Sequence, residues 1–192
     1  MKKLNICIDI DGTITDPYYW LDCCNKHFKT NITEKHVTKY SISEVLGVSE
    51  ESYLIFYEKY KYEIHSNQKI RADVRMIIDK LKLFSNLYFV TAREKDLTLL
   101  THEYLRKNSI HYDNLFLLGS HHKVSKAKEL YCDVFIEDNY DNAIELSEAG
   151  FFVLLLDTNY NQKPLNNNIK RVYNWTEIYK IIRNLLLNTE AI

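Results

Sequence analysis

Short apolar runs alternate along this chain with segments whose apolar residues recur every three or four positions. Residues 4–10, 87–90, 114–118, 134–136 and 151–155 are the runs, and each predicts a buried strand. Between them, 73–84 places Val74, Ile77, Ile78 and Leu81 at helical spacing, and 94–107 does the same with Leu97, Leu100, Tyr104 and Leu105. Residues 123–131 and 140–149 predict two further helices, the second stopped at Gly150, and 177–187 predicts a closing helix. The strands are continuous apolar runs rather than period-two patterns, so both of their faces are covered. That predicts an α/β fold, a doubly wound parallel sheet.

One stretch interrupts the alternation. Residues 17–70 are rich in Tyr and Lys and carry helical patterning, with helix starts at Ser41 and Ser49 and with Tyr53, Phe56, Tyr57 and Tyr60 on one face. We read 1–16 and 71–192 as the α/β core domain, and 17–70 as a small helical cap inserted after the first strand.

Composition changes this picture little. The 192 residues are 46% hydrophobic and 27% charged, with a net charge of −1, which excludes a fully disordered chain and gives no sign of a nucleic-acid polymer or a membrane as partner. Asn5, Asp9 and Asp11 break up the apolar stretch that follows Met1-Lys2-Lys3, against a signal peptide. The four cysteines, at 7, 23, 24 and 132, form neither a disulfide framework nor a CxxC pair. Reduced thiols and a cytoplasmic location follow as expectations. Monomer and homodimer both stay open.

The chemistry sits at strand ends, where open parallel sheets bind their ligands. The first strand ends Asp9-Ile10-Asp11-Gly12-Thr13, the second Val90-Thr91-Ala92-Arg93, and the fourth Ile136-Glu137-Asp138-Asn139. Carboxylates that converge need a cation, and a small set of hard oxygen ligands suits Mg2+. Asp9 can attack an electrophile, and Asp11, two residues on, can act as general acid and base. Gly12 permits close backbone approach, while Thr91 and Ala92 open a helix start that favours an anion. A lysine near the start of the 123–131 helix would offset phosphoryl charge. Lys123, Lys126 and Lys128 are candidates, and Lys126 is favoured for its distance to Asp138 and its place near the helix start.

Asp9-Ile10-Asp11-Gly12-Thr13-Ile14-Thr15 resembles the first motif of the haloacid dehalogenase superfamily. Val90-Thr91-Ala92-Arg93 resembles the second motif, a lysine in 123–128 the third, and Ile136-Glu137-Asp138 the fourth. Residues 155–162 and 169–178 are similar to the tail of the 5′(3′)-deoxyribonucleotidase-like branch, which also holds bacterial nucleotidases. The resemblance implies a Mg2+-dependent phosphomonoesterase acting on a small phosphoester, a nucleoside monophosphate first of all. Asp9 would be its phosphoryl-accepting nucleophile and Asp11 its acid and base. The metal ligands would be the Asp9 carboxylate, the Asp11 backbone carbonyl and Asp138, with Gly12, Thr91, Ala92 and Lys126 around the phosphoryl group. Glu137 stands where deoxyribonucleotidases carry Asp, and so is expected to reach a metal-bound water. Arg93 is expected to contact phosphate or to support the fourth-motif acids. Two alternatives remain: a sugar phosphate or other small phosphoester as substrate, or a non-catalytic binding protein on the same scaffold.

Aromatic residues in the cap can stack on a base, and Tyr18, Tyr19 and Trp20, close to the nucleophile loop, are the expected substrate contacts. His121 and His122 lack partners at ligand spacing and read as loop residues. All four cysteines read as structural.

Overall fold

The computed structural model describes residues 3–190. Its elements run in the order β1 (Leu4–Ile8), α1 (Leu21–Phe28), α2 (Ile42–Leu46), α3 (Glu50–Ser66), α4 (Val74–Lys82), β2 (Ser85–Thr91), α5 (Thr98–Lys107), β3 (Asn114–Leu117), α6 (Val124–Glu129), β4 (Val134–Glu137), α7 (Tyr140–Glu148), β5 (Phe152–Leu156), β6 (Ile169–Val172) and α8 (Trp175–Glu190). Single 3-10 turns occupy Glu34–His36 and Lys95–Leu97. The six strands form one sheet in the order β3-β2-β1-β4-β5-β6, and every pairing is parallel. Among the described residues no helix is long and apolar enough to cross a membrane.

The strands are apolar throughout, but successive side chains still point to opposite faces. Ile6 and Ile8 join Leu87, Phe89, Val134 and Ile136 under α4, α5 and α8. Cys7, Val90, Phe135, Val153 and Leu155 face Ala127 of α6 and Ala143 and Leu146 of α7. Burying each large apolar side chain contributes roughly 1.5–3 kcal/mol, so two such layers fix the register of the sheet and hence the strand ends. The expectation of a doubly wound parallel sheet therefore holds. One strand goes beyond it: in Ile169-Lys170-Arg171-Val172 two adjacent charged residues sit between two buried apolar ones, a pattern that β6 tolerates as an edge strand.

The segment between β1 and α4 builds a further apolar cluster, in which Trp20, Leu21, Cys24, Val37, Leu46, Phe56 and Ile64 are buried together with Tyr160 of the loop after β5. Ser41 and Ser49 cap α2 and α3 by accepting from the amides of Glu44 and Ser52. An antiparallel bridge between Thr15 and Ile70 closes the insertion's neck, flanked by Asp16 N–H to Lys69 O (2.8 Å) and Arg71 N–H to Ile14 O (2.9 Å). Lys61 of α3, buried, pins the insertion to the core through Glu94 (2.7 Å) and Asp96 (2.8 Å).

Candidate active site

Strand order reverses at β1, with β2 and β3 on one side and β4 to β6 on the other, and a crevice opens at that point beyond the carboxyl ends of the strands. Asp9 follows β1 directly, its amide donating to Ile136 O at 3.0 Å, and its side chain is buried. Glu137 ends β4, and Asp138 follows it. Lys123, in the cap position before α6 and 1% exposed, donates to the Asp9 carboxylate and to both Glu137 oxygens (3.3 and 3.2 Å). Glu137 also accepts from the side-chain amide of Asn142 on α7.

The lysine at the acids is thus Lys123, which corrects the preference for Lys126. Helix α6 leads away from the strand ends at about 1.5 Å per residue, so Lys126 is carried one turn down. Its ammonium pairs with Glu129 and lies 4.6 Å from the Phe116 ring centre. Lys128 is exposed.

Asp138 is held from two sides. Thr13 Oγ1 donates to its Oδ1 at 3.1 Å, and the Tyr160 hydroxyl donates to its Oδ2. Gly12 makes this packing possible. Its φ is +80°, and a Cβ there would lie 2.7 Å from Asp138 Cγ and 2.9 Å from the Tyr160 hydroxyl. Gly12 was expected to meet phosphate. Its amide donates to Thr15 Oγ1 (3.0 Å) and its carbonyl accepts from Arg71 (2.9 and 2.7 Å), bonds that shape the turn, and Gly12 lines the crevice.

Asp11 points toward the insertion. Arg93 forks onto it, Nε to Oδ2 and a terminal nitrogen to Oδ1, both at 2.8 Å. Gln68 donates to Oδ1, and His65 Nδ1 lies 3.4 Å away. Arg93 also donates to Gln68 Oε1 (2.6 Å) and Thr101 Oγ1 (3.0 Å). Arg93 therefore supports Asp11, not the acids after β4. Burial acts to raise the Asp11 pKa, but the Arg93 guanidinium overrides it and holds the carboxyl well below its usual range.

The acids on the other side behave oppositely. Burial raises Asp9, Glu137 and Asp138, with Lys123 opposing it in each, and Asp138 is pushed up to about 7. Burial would lower Lys123, but Asp9 and Glu137 keep it protonated. One ammonium thus faces three buried carboxylates. Asp9, Glu137 and Asp138 can each turn an oxygen to within 4.8 Å of the others. A hard-oxygen set short of positive charge fits a divalent cation of the Mg2+ kind.

A cavity of about 400 Å³ lies over these groups. Asp9, Asp11, Thr91, Ala92 and Lys123 form its floor, and Tyr19, Trp20, Tyr40, Tyr53 and Tyr57 of the insertion stand above. Tyr18 lies off this lining. Its hydroxyl accepts from the Asn159 amide (3.1 Å), and its ring meets Tyr160 edge-on at 6.3 Å. His121 reaches the lining and meets the Tyr40 ring at 5.9 Å. All four cysteines are free thiols, with Cys7, Cys24 and Cys132 buried. Sequence reasoning did not single out His65, Gln68, Asn142 or Tyr160, and the first three belong to no recognisable motif. The residues 155–162 that carry the family likeness include Tyr160, and were the one available signal.

Residues 2–188 match the family described as 5′ nucleotidase, deoxy (pyrimidine), cytosolic type C protein. A nucleotidase of Clostridium acetobutylicum is 63% identical over 192 residues, covering all of both chains. A haloacid dehalogenase-like hydrolase from Streptococcus pneumoniae superposes with a TM-score of 0.72 at 15% identity, over 94% of this chain and 98% of that one. YfnB of Bacillus subtilis, solved bound to magnesium, superposes with a TM-score of 0.62 at 14% identity, over 95% of this chain and 100% of that one.

Proposed function

This chain belongs to the cytosolic type C deoxy (pyrimidine) 5′ nucleotidase family, a phosphatase family on the haloacid dehalogenase hydrolase fold, and from that premise we propose that it hydrolyses nucleoside or deoxynucleoside monophosphates through an aspartyl-phosphate on Asp9, with Mg2+. The observation that carries the reading is the setting of Asp9. A buried carboxylate faces a cavity of nucleotide size, and Lys123, Thr91 and the Glu137-Asp138 pair surround it.

Asp9 attacks phosphorus in line, and the leaving oxygen takes a proton from Asp11. Water then attacks the phosphorus of the acyl phosphate, Asp11 accepts its proton, and Asp9 and inorganic phosphate are released. Lys123 and Thr91 lie where charge builds on the phosphoryl oxygens. Glu137 shares the Lys123 ammonium with Asp9. Asp9, Asp138 and the backbone carbonyl of Asp11 would hold Mg2+, which when bound neutralises the anions that nucleophile and substrate bring together. Asp11 bound by Arg93 is in its ionised form, ready to act as base. To act as acid it must exchange its bonds to Arg93, Gln68 and His65, and the last two come from the end of the cap, so cap motion belongs to the cycle. Free thiols fit a reducing cytoplasm.

Phosphate release from a panel of deoxynucleotides, ribonucleotides and sugar phosphates, with Mg2+ and with EDTA, tests the reading. We expect Mg2+-dependent release with a preference for nucleotides of one base type. Equal turnover of sugar phosphates would make the aromatic wall mere packing and remove the nucleotide assignment.

The same site predicts a pH dependence. A carboxylate raised in the folded state makes that state bind more protons than the unfolded chain, so stability falls as pH rises between the two pKa values. For Asp138 that window runs from 3.8 to about 7. Metal-free protein should lose stability across it, and added Mg2+, which displaces the protons, should stabilise more at pH 8 than at pH 5. Melting curves with Mg2+ and with EDTA at both pH values check this. An increment that does not grow with pH would contradict it.

A further inference from the structure

The loop after β5 is tied to the acid pair more closely than a connection needs. Asn161, fully buried, donates to the backbone carbonyl of Asp138 (2.8 Å) and to Leu156 O (2.7 Å), and Arg171 of β6 clamps Asn161 at its side-chain oxygen (2.6 Å) and carbonyl (2.8 Å). The neighbouring Tyr160 is 9% exposed, and its hydroxyl reaches Asp138 Oδ2. Its ring is not part of the sheet domain's packing. It joins the apolar cluster built by the segment between β1 and α4 and meets Tyr18 at 6.3 Å and Tyr40 at 5.7 Å, both edge-on. One side chain thus touches a candidate cation ligand with its polar end and the cap with its apolar body.

We propose that Tyr160 is a positioning residue that orients the Asp138 carboxylate for a divalent cation and couples that orientation to the seating of the cap. A carboxylate with one donor on each oxygen cannot swing about its last bond. With Thr13 on Oδ1 and Tyr160 on Oδ2, the remaining lone pairs are aimed before the ion arrives. Asn161 fixes the main chain beneath it, so the loop sets both the height and the plane of the ligand. The cap residues Tyr18 and Tyr40 in turn hold the Tyr160 ring, so displacing the cap loosens the hydroxyl. The argument rests on the Mg2+ reading given above.

The test is titration of the full chain with Mg2+ alone, by calorimetry without substrate, comparing wild type, Tyr160→Phe and Asp138→Asn. Phe keeps the ring and its contacts with Tyr18 and Tyr40, and melting of the metal-free proteins verifies that the variants fold. We expect Tyr160→Phe to bind Mg2+ about tenfold more weakly, the lower end of what loss of a supporting hydrogen bond costs a metal site, and Asp138→Asn to bind more weakly still. Turnover should split accordingly: Tyr160→Phe needs more Mg2+ for half-maximal rate but approaches wild-type kcat at saturation. Unchanged or tighter Mg2+ binding by Tyr160→Phe, beside a wild type that binds and an Asp138→Asn that does not, overturns the inference and leaves the Mg2+ reading intact. If wild type and Asp138→Asn bind Mg2+ alike, both fall.

Discussion

Asp9→Asn should abolish phosphate release while leaving the fold intact. Removing the nucleophile from an enzyme that works through a covalent intermediate typically costs on the order of 10^6 in kcat, because the remaining groups have no intermediate to act on. Loss of structure would give the same silence, but here the two separate. Burial disfavours the Asp9 charge, and Lys123 keeps Glu137 as a partner when Asp9 becomes neutral. The metal-free variant should therefore melt no lower than wild type. A folded Asp9→Asn that kept even a few per cent of activity would remove Asp9 from the role of nucleophile. A variant that melted far lower would show the carboxylate to be a structural anchor.

Lys123→Met and Lys126→Met should part sharply. Lys123 is the cation among three buried acids, and removing one partner from such a group costs about 3–5 kcal/mol. Even the lower figure corresponds to a fall of roughly 6–12 °C in the melting temperature of a chain this long. Its loss also removes charge stabilisation at the phosphoryl group, worth about 10^2–10^3 in kcat when one such group is deleted. Lys126 gives up a partly exposed pair with Glu129 and a contact with Phe116, together within about 1 kcal/mol, and activity should stay near wild type. Melting curves and kcat at saturating Mg2+ read both effects. Equal losses, or a larger loss at Lys126, would contradict the placement of Lys123 at Asp9.

The sheet was legible because its strands are short apolar runs and its helices keep a regular spacing, two signals that local chemistry sets. Asp9, Thr91 and Asp138 were legible for a related reason: a strand end followed by polar residues is a local pattern, and parallel topology brings such ends together. Edge strand β6 was not, since Lys170 and Arg171 mask its two apolar positions. The choice among three lysines turned on where α6 begins, which spacing leaves uncertain by a few residues, and one turn decides which lysine meets Asp9. Gln68 and His65 escaped notice because their partner is 57 and 54 residues away in sequence at Asp11, and only the closing of the insertion's neck brings them there. Tyr160 escaped for the same reason, since the Asp138 it holds belongs to another strand's end.

The most direct test of the account is chemical trapping at Asp9. Protein mixed with the best substrate of the panel and Mg2+ would be quenched in acid during turnover, reduced with borohydride, digested, and the peptide carrying residue 9 sequenced by mass spectrometry. An acyl phosphate on Asp9 is reduced to homoserine, and the account predicts homoserine at position 9, its yield falling to background in EDTA. Steady turnover with no modification at residue 9 under any quench time would contradict it, and would assign the reaction to direct attack by water.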